Sequence, residues 1–485
     1  MCYNETKIGK NFFNRINKKF LCLNIQNGGR FMVQFDEKIY GSSKQRLESI
    51  FDCGTFAELG AYTKRQGTDT PAGVVCGYGA VSGKLAFAFI QESGRNKGAF
   101  DERQSKKIEA LYSLAIKNGA PVIGVFDSAG AVVYDGAAAL ASYGKLMKNI
   151  SDASGVIPQI AVIDGICGGM SSVAAAMFDF VVTVKDKSKL FVNPPFVVGE
   201  SADGAAVGNS AYEANSSEDA FAYVKTLINI LPENNASGAY TENADDMNRQ
   251  VAVDPKSYNA KELVAAISDD GRFVPVYEAY AENVILGFAS FGGVVSGIVA
   301  SNPEKGGVID IKSARAIAKL VGFCDSFSVP VVTLVDSEGL SVSAEAEKSA
   351  YAQELAKLAY AYSASECAKV TVVVGKAYGA AFTLLGAKAT GADMAFALPS
   401  AEISVLSPEA SVAFVWNNRV GEQTREELEA EWKEKCASAA DAADLGEIDD
   451  IIEPAEMRSR ICAALSMLCA KADGTPARKH VNMPL

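Results

Sequence analysis

Residues 370–385, reading VTVVVGKAYGAAFTLL, are the stretch of this chain best equipped for chemistry. Five β-branched residues run into Gly375, a small-residue turn follows at Gly379, Ala380 and Ala381, and an apolar run suited to a helix closes the segment. A strand that passes through such a turn into a helix leaves the first helical N–H groups without acceptors and pointing outward. Small side chains let a ligand oxygen come close to them, which is how main-chain amides build an oxyanion hole. An ordinary close-packed βα turn would use the same residues.

The stretch occurs twice. Residues 160–173, IAVIDGICGGMSSV, have the same layout, and Gly165 and Gly169 match Gly375 and Gly379 at a separation of 210 positions (375 − 165 and 379 − 169). Asp101, Pro121, Asp127 and Gly130 each have an identical residue 209 positions on, at Asp310, Pro330, Asp336 and Gly339, and Gly83 meets Gly292 at that offset. Further on, Pro194 and Pro408 correspond at an offset of 214, each after a short strand-like run. A register held over more than a hundred residues marks a duplicated domain.

The elements that position these turns follow from periodicity. Residues 46–52 read as a short helix and 54–58 as a turn; 73–83 and 85–90 form a hairpin; 101–118 form an amphipathic helix with Ile108, Leu111, Leu114 and Ala115 on one face. A buried strand over 121–126 ends at Asp127, and a small-residue helix over 136–146 leads into the first candidate turn. The second copy repeats the order, with helices at 259–267 and 310–326 and strands at 284–291, 294–300 and 329–335. Alternation of this kind predicts an α/β fold with parallel βαβ units and a site at the strand C-terminal ends. Residues 196–217 read as a surface loop or lid, 234–258 as the interdomain linker, and 425–435 as a solvated helix face.

Composition narrows the chemistry. With 485 residues, the prior is two to four domains, and the repeat favours two. The net charge of −12 (46 − 58) argues against nucleic acid as a main partner. No apolar run is long enough to cross a bilayer. Ten cysteines contain no CxxC pair, and Cys76, Cys167 and Cys324 sit among apolar neighbours, as core residues in a reducing cytoplasm do. The only histidine, His480, lies five residues from the end, so histidine triads and zinc chemistry are not expected and no metal is assigned. Residues 1–31 carry six basic residues against Glu5 and read as a disordered extension ahead of a start at Met32; the halves then run over 32–245 and 246–485.

These residues also carry a resemblance. Over residue 45 to the end, the chain resembles the carboxyltransferase subunits of biotin-dependent acyl-CoA carboxylases and decarboxylases, of the propionyl-CoA carboxylase β and methylmalonyl-CoA decarboxylase α types. The matching runs are APVIGVFD at 120–127, ASGVIPQ at 153–159, Leu231–Pro232 with Asn234 and Asn235, and KAYGAA at 376–381. In the tail they are DDII at 449–452, Arg458 with Arg460, Ile461 and Cys462, and Lys479–His480 through Pro484–Leu485.

The resemblance implies two tandem crotonase-like (ClpP/crotonase) domains related by duplication. It implies acyl-CoA on the N-terminal half of one subunit and carboxybiotin on the C-terminal half of another. By position, Gly169 and Met170 would donate to the thioester carbonyl, and Ala380 and Ala381 to the biotin ureido oxygen, with Gly130, Gly168, Gly379 and Thr383 in the binding walls. No Met-Lys-Met attachment motif is present, so biotin would arrive on a separate carrier protein. The implied partners are that carrier, a biotin carboxylase or membrane decarboxylase subunits, and further copies of the chain, as a hexamer, in the cytoplasm. A catalytically weakened paralogue that binds acyl-CoA or partner subunits is the other reading. A crotonase-type hydratase would need paired carboxylates beside the thioester, and no convincing pair is evident.

Departures from the family pattern are specific. Ala129–Gly130–Ala131–Val132 stands where a Gly-Gly-Ala-Arg run is usual, Met170 and Ala380 replace glycines, and Ser337–Glu338–Gly339 and residues 344–352 replace two further family segments, the latter expected near biotin. Met170 is expected to narrow the acyl pocket. Thr383 occupies a position at which relatives vary with acyl group.

Overall fold

Each half of the chain folds around its own mixed sheet of eight strands. The computed structural model describes residues 37–485 apart from 66, 95, 200–207, 209, 256, 473–481, 483 and 485. The N-terminal extension and His480 lie outside the described residues.

The first sheet comprises β1 (Ala57–Leu59), β2 (Val74–Val81), β3 (Lys84–Gln91), β4 (Val122–Ser128), β5 (Gln159–Gly168), β6 (Phe180–Val184), β7 (Lys189–Phe191) and β8 (Tyr212–Ala214). Its order is β1-β2-β3-β4-β5-β6-β8, with β7 attached to β5. The second comprises β9 (Phe273–Val276), β10 (Val284–Phe291), β11 (Val294–Ser301), β12 (Val331–Ser337), β13 (Lys369–Tyr378), β14 (Met394–Ala397), β15 (Glu402–Ser404) and β16 (Asp450–Ile451). It runs β9-β10-β11-β12-β13-β14-β16, with β15 attached to β13, so every strand has a twin. The first three strands of each sheet pair antiparallel and the rest parallel.

Local chemistry explains the repeat. Asp101 caps the helix Glu102–Asn118 by accepting the N–H groups of Arg103 and Gln104, and Asp310 caps Ile311–Ser326 by accepting that of Ser313. The β2–β3 hairpin turns on Ser82 and Gly83, whose amides are held by Asp52 at 3.1 and 2.9 Å; β10–β11 turns on Gly292 and Gly293, held by Asp269 at 2.9 and 2.8 Å. The hairpins therefore match Gly83 with Gly293, one place away from the pairing with Gly292 that a constant offset predicts. β4 is buried along Val122–Phe126, as a parallel strand covered on both faces must be. Phe89, Phe126 and Phe178 pack edge-on around it.

The halves share an aromatic seam, in which Phe180 of β6 meets Phe288 of β10 and Phe323 at ring separations of 5.8 and 4.8 Å. Tyr223 Oη donates to Pro275 O at 2.6 Å and Tyr277 N to Ala211 O at 2.7 Å across the same seam. The expected linker is pinned: Asp245 pairs with Arg249 and with the buried Arg458, which also binds Asp269.

Three expectations change. The helix placed over 46–52 is Glu37–Glu48, and the turn at 54–58 gives way to β1 from Ala57, because pairing with β2 outweighs local turn chemistry. The loop over 196–217 contains β8, which extends the sheet beside β6; residues 200–207 lie outside the described residues. Among the described residues no helix is long and apolar enough to cross a membrane.

Candidate functional site

Each candidate turn begins with a bulge. Phe126 pairs with Ile163 but Ser128 with Cys167, and Val335 pairs with Val373 but Ser337 with Ala377, so two steps along β4 or β12 span four along its partner. Asp127 and Asp336 hold the bulges: their Oδ1 atoms accept the N–H of Ile166 at 3.1 Å and of Lys376 at 2.8 Å. Repeated aspartates at strand ends are thus turn residues, as their type suggests.

The bulge redirects the strand. Past Ile163 the strand β5 leaves β6, and residues 166–168 pair with β7 instead; likewise 376–378 leave β14 and pair with β15. Gly169 and Gly379 then adopt φ/ψ of 59°/−128° and 58°/−137°, a region that side-chain-bearing residues avoid. The helices Met170–Ala176 and Ala380–Leu384 start immediately after.

The amide accounting corrects one assignment. Gly169 N–H is given to Phe191 O at 2.9 Å, and Gly379 N–H to Ser404 O at 2.9 Å, so neither is available to a ligand while those bonds stand. Met170, Ala380 and Ala381 carry first-turn N–H groups with no acceptor among the described residues. Gly169 and Gly379 serve as the hinges that aim them.

A second amide in each half was missed from the sequence. Phe100 N–H donates to Gly130 O and accepts Val132 N–H through its own carbonyl, at 2.8 and 3.1 Å; Ile309 does the same with Gly339 and Ser341, at 3.0 and 2.9 Å. The N–H groups between, on Ala131 and Leu340, are left without an acceptor among the described residues. Gly130 (φ 121°) and Gly339 (φ 124°) set these loops, and each gives its own N–H to a serine, Ser128 or Ser337, at 3.2 Å. The loops abut the turns: a Cβ on Gly130 would lie 3.7 Å from Gly168 O, and one on Gly339 would lie 3.6 Å from Tyr378 O. The repeated glycines were the signal that could have found them.

The surroundings differ between halves. In the first, Ser171 beside Met170 is locked to buried Tyr143 at 2.6 Å, and burial raises the Cys76 thiol to about 12, as for an inert core residue. Asp164 is buried against Arg46 and Lys187, whose charges offset its desolvation. In the second, Tyr378 donates to Glu402, which also pairs with Lys433, while Lys376 pairs with Glu338 at 2.9 Å and Tyr258 Oη donates to Asp336 at 2.9 Å. Thr383 is exposed one turn into its helix, and its carbonyl accepts Thr390 Oγ1 at 3.0 Å. Gly168 is buried because the Phe191 ring lies 2.7 Å from where its Cβ would be.

The arrangement presents main-chain N–H donors twice over, of the kind that can hold an oxygen developing negative charge. Residues 42–483 match the carboxyl transferase domain. The chain belongs to the carboxyl transferase family.

This carboxyl transferase is 33% identical over 476 residues to the methylmalonyl-CoA decarboxylase subunit alpha of Veillonella parvula, covering 92% of the chain and 93% of the relative. It is 33% identical over 493 residues to the propionyl-CoA carboxylase beta chain of Saccharopolyspora erythraea, covering 92% and 90%. The crystal structure of transcarboxylase 12S, described as a hexamer with methylmalonyl-coenzyme A bound, superposes with a TM-score of 0.87 at 31% identity over 100% of both chains. The α/β fold with duplicated crotonase-like halves accords with that match.

Proposed function

We propose that this chain moves a carboxyl group between biotin, borne on a separate carrier protein, and an acyl-CoA, as the carboxyltransferase subunit of a biotin-dependent carboxylase or decarboxylase complex. The observation that carries this reading is the pair of amide-presenting turns, one in each half, built to one design. Transfer between two carriers develops charge on two oxygens, a ureido oxygen and a thioester oxygen, and two sets of fixed donors answer to two oxygens.

In the carboxylation direction the substrate carboxybiotin releases CO2, and the ureido oxyanion left behind is held by the amides of Ala380 and Ala381. That anion takes the α-proton of the thioester. The electron pair of the broken C–H bond becomes an enolate, whose oxygen is held by Met170 N–H with Ala131 N–H in place of Gly169. The enolate carbon then attacks CO2, and the protonated biotin departs; decarboxylation is the reverse. No step requires a side-chain acid or base. Gly130, Gly168 and Gly379 keep the walls low enough for oxygen to approach, and Thr383 contacts the bound group.

The acyl-CoA belongs to the N-terminal half (residues 32–245) of one subunit and biotin to the C-terminal half (246–485) of another. Support for that pairing comes from apolar residues left uncovered near both turns, Tyr134 and Phe196 (89% exposed) in one half and Val342 (99%) and Phe414 (84%) in the other. A hexamer is the assembly proposed, in the cytoplasm, served by a biotin carboxyl carrier protein and by a biotin carboxylase or membrane decarboxylase subunits.

Two variants test the assignment. Gly169→Trp is expected to block acyl-CoA binding, measured by isothermal titration. Ala380→Trp is expected to spare that binding and block malonyl-type product formation from free carboxybiotin. Equal loss of both activities in each variant would count against two separate sites.

A further inference from the structure

We propose that Lys97 is a specificity-determining residue that reads the anionic, phosphate-bearing end of the thioester substrate, an inference that rests on the N-terminal half being the one that takes acyl-CoA. The starting observation is a conformational anomaly. Asn96, Lys97 and Gly98 are three consecutive residues with left-handed φ, of 47°, 51° and 69°. That conformation is free for glycine and unfavourable for a residue with a Cβ.

The second copy shows what the loop needs. There the matching pair is Gly306 and Gly307, with φ of 70° and 57°. The match is structural: a Cβ on Gly98 would lie 2.0 Å from Asp127 O, and one on Gly307 would lie 2.1 Å from Asp336 O. Two glycines satisfy the turn in the C-terminal half, so the lysine in the N-terminal half is not there for the backbone. An unfavourable backbone kept where a relaxed one is available points to function.

Position supplies the function. Lys97 O accepts Ala129 N–H at 2.9 Å, and Phe100, three residues on, donates to Gly130 O at 2.8 Å. The loop is thereby strapped to the segment that carries the free Ala131 amide. Lys97 is exposed, and its ammonium has no ion-pair partner among the described residues. Its counterpart region in the other half offers Lys305, already paired with Glu282. Among the described residues, Lys97 thus places a cation without an ion-pair partner on the loop strapped to the Ala131 donor segment, where a ligand bearing phosphates can meet it. On a chain of net charge −12, a polyanion needs such a local cation.

The test uses the full-length protein with Lys97→Gly and Lys97→Arg. Lys97→Gly removes the charge and relieves the backbone, so it should fold at least as well as the wild type. Its affinity for CoA should fall about tenfold, the scale of one charge-assisted bond, while pantetheine, which has no phosphate diester or 3′-phosphate, binds unchanged. KM for the acyl-CoA should rise with kcat unaltered, and Lys97→Arg should restore most of the loss. Equal weakening for CoA and pantetheine would make Lys97 structural and overturn the inference. So would CoA binding unchanged in Lys97→Gly. If the wild type binds no CoA at all, the assignment of the half falls first and this inference with it.

Discussion

Gly375 lies against the carboxylate of Asp336 so closely that a Cβ would sit 2.4 Å from its Cγ. The same contact joins Gly165 to Asp127, at 2.2 Å from Oδ1. The bulge that bends each strand toward its donor turn is therefore a two-residue device. An aspartate satisfies the displaced amide, and a glycine makes room for the aspartate. Gly375→Ala is expected to destabilise the fold by about 2 kcal/mol or more, because the obstruction is a fixed carboxylate rather than a flexible side-chain end. Urea denaturation measures it; an unchanged midpoint would show that the bulge relaxes freely.

Deleting a donor without adding bulk separates Met170 from Gly169. Proline fits the first position of a helix and lacks the N–H. Met170→Pro is expected to lower acyl-side kcat/KM by about 10²–10³-fold, the usual effect of one lost oxyanion donor. Carboxybiotin decarboxylation without acyl-CoA should be unaffected. Retention of acyl-side activity would move the donor role away from Met170.

Asp179 gives a pH dependence with a definite sign. Burial raises its carboxyl to about 7, against the opposing effects of the Gln159 N–H and of Lys319 from the other half. A folded pKa above the unfolded value means that this group's contribution is fully present below about pH 4 and is lost as pH rises through about 7. Asp179→Asn should remove that loss, flattening the decline in unfolding free energy between about pH 4 and 7. Asp245 runs the other way: Arg249 lowers it to about 2, so its contribution is lost only as pH falls through that value. Urea titrations at several pH values compare the variant with the wild type.

Arg458 is expected to be the costliest single residue in the tail. It is fully buried and donates to Asp246 O, Ile267 O and Asp269 Oδ1 at 3.0, 2.8 and 2.7 Å. Arg458→Met leaves the buried Asp269 carboxylate without its counter-charge and Ile267 O without its donor, for a loss of about 3–5 kcal/mol. Asp269 also holds the Gly292–Gly293 hairpin, so the loss should loosen the second sheet first. Hydrogen exchange of β10 and β11 checks this; uniform exchange would place the effect elsewhere.

Legibility differed by element. The helices capped by Asp101 and Asp310 and the strands leading into each turn could be read, because caps, periodicity and the repeat all act over short distances. β8 was hidden in a small-residue stretch, since only the open edge of β6 makes Tyr212–Ala214 a strand. Gly169 was misassigned as a donor because its acceptor, Phe191 O, returns from a strand more than twenty residues later.

By itself the sequence determined that a turn of small residues is made twice, since only glycine tolerates Gly169 and Gly379 conformations and only a duplication holds so constant an offset. It also determined the family, through runs such as KAYGAA that need no structure to be seen. Which amides are free was decided in three dimensions. An N–H is available only after every neighbouring carbonyl has been accounted for, and those carbonyls come from β7, β15 and the loops at Phe100 and Ile309.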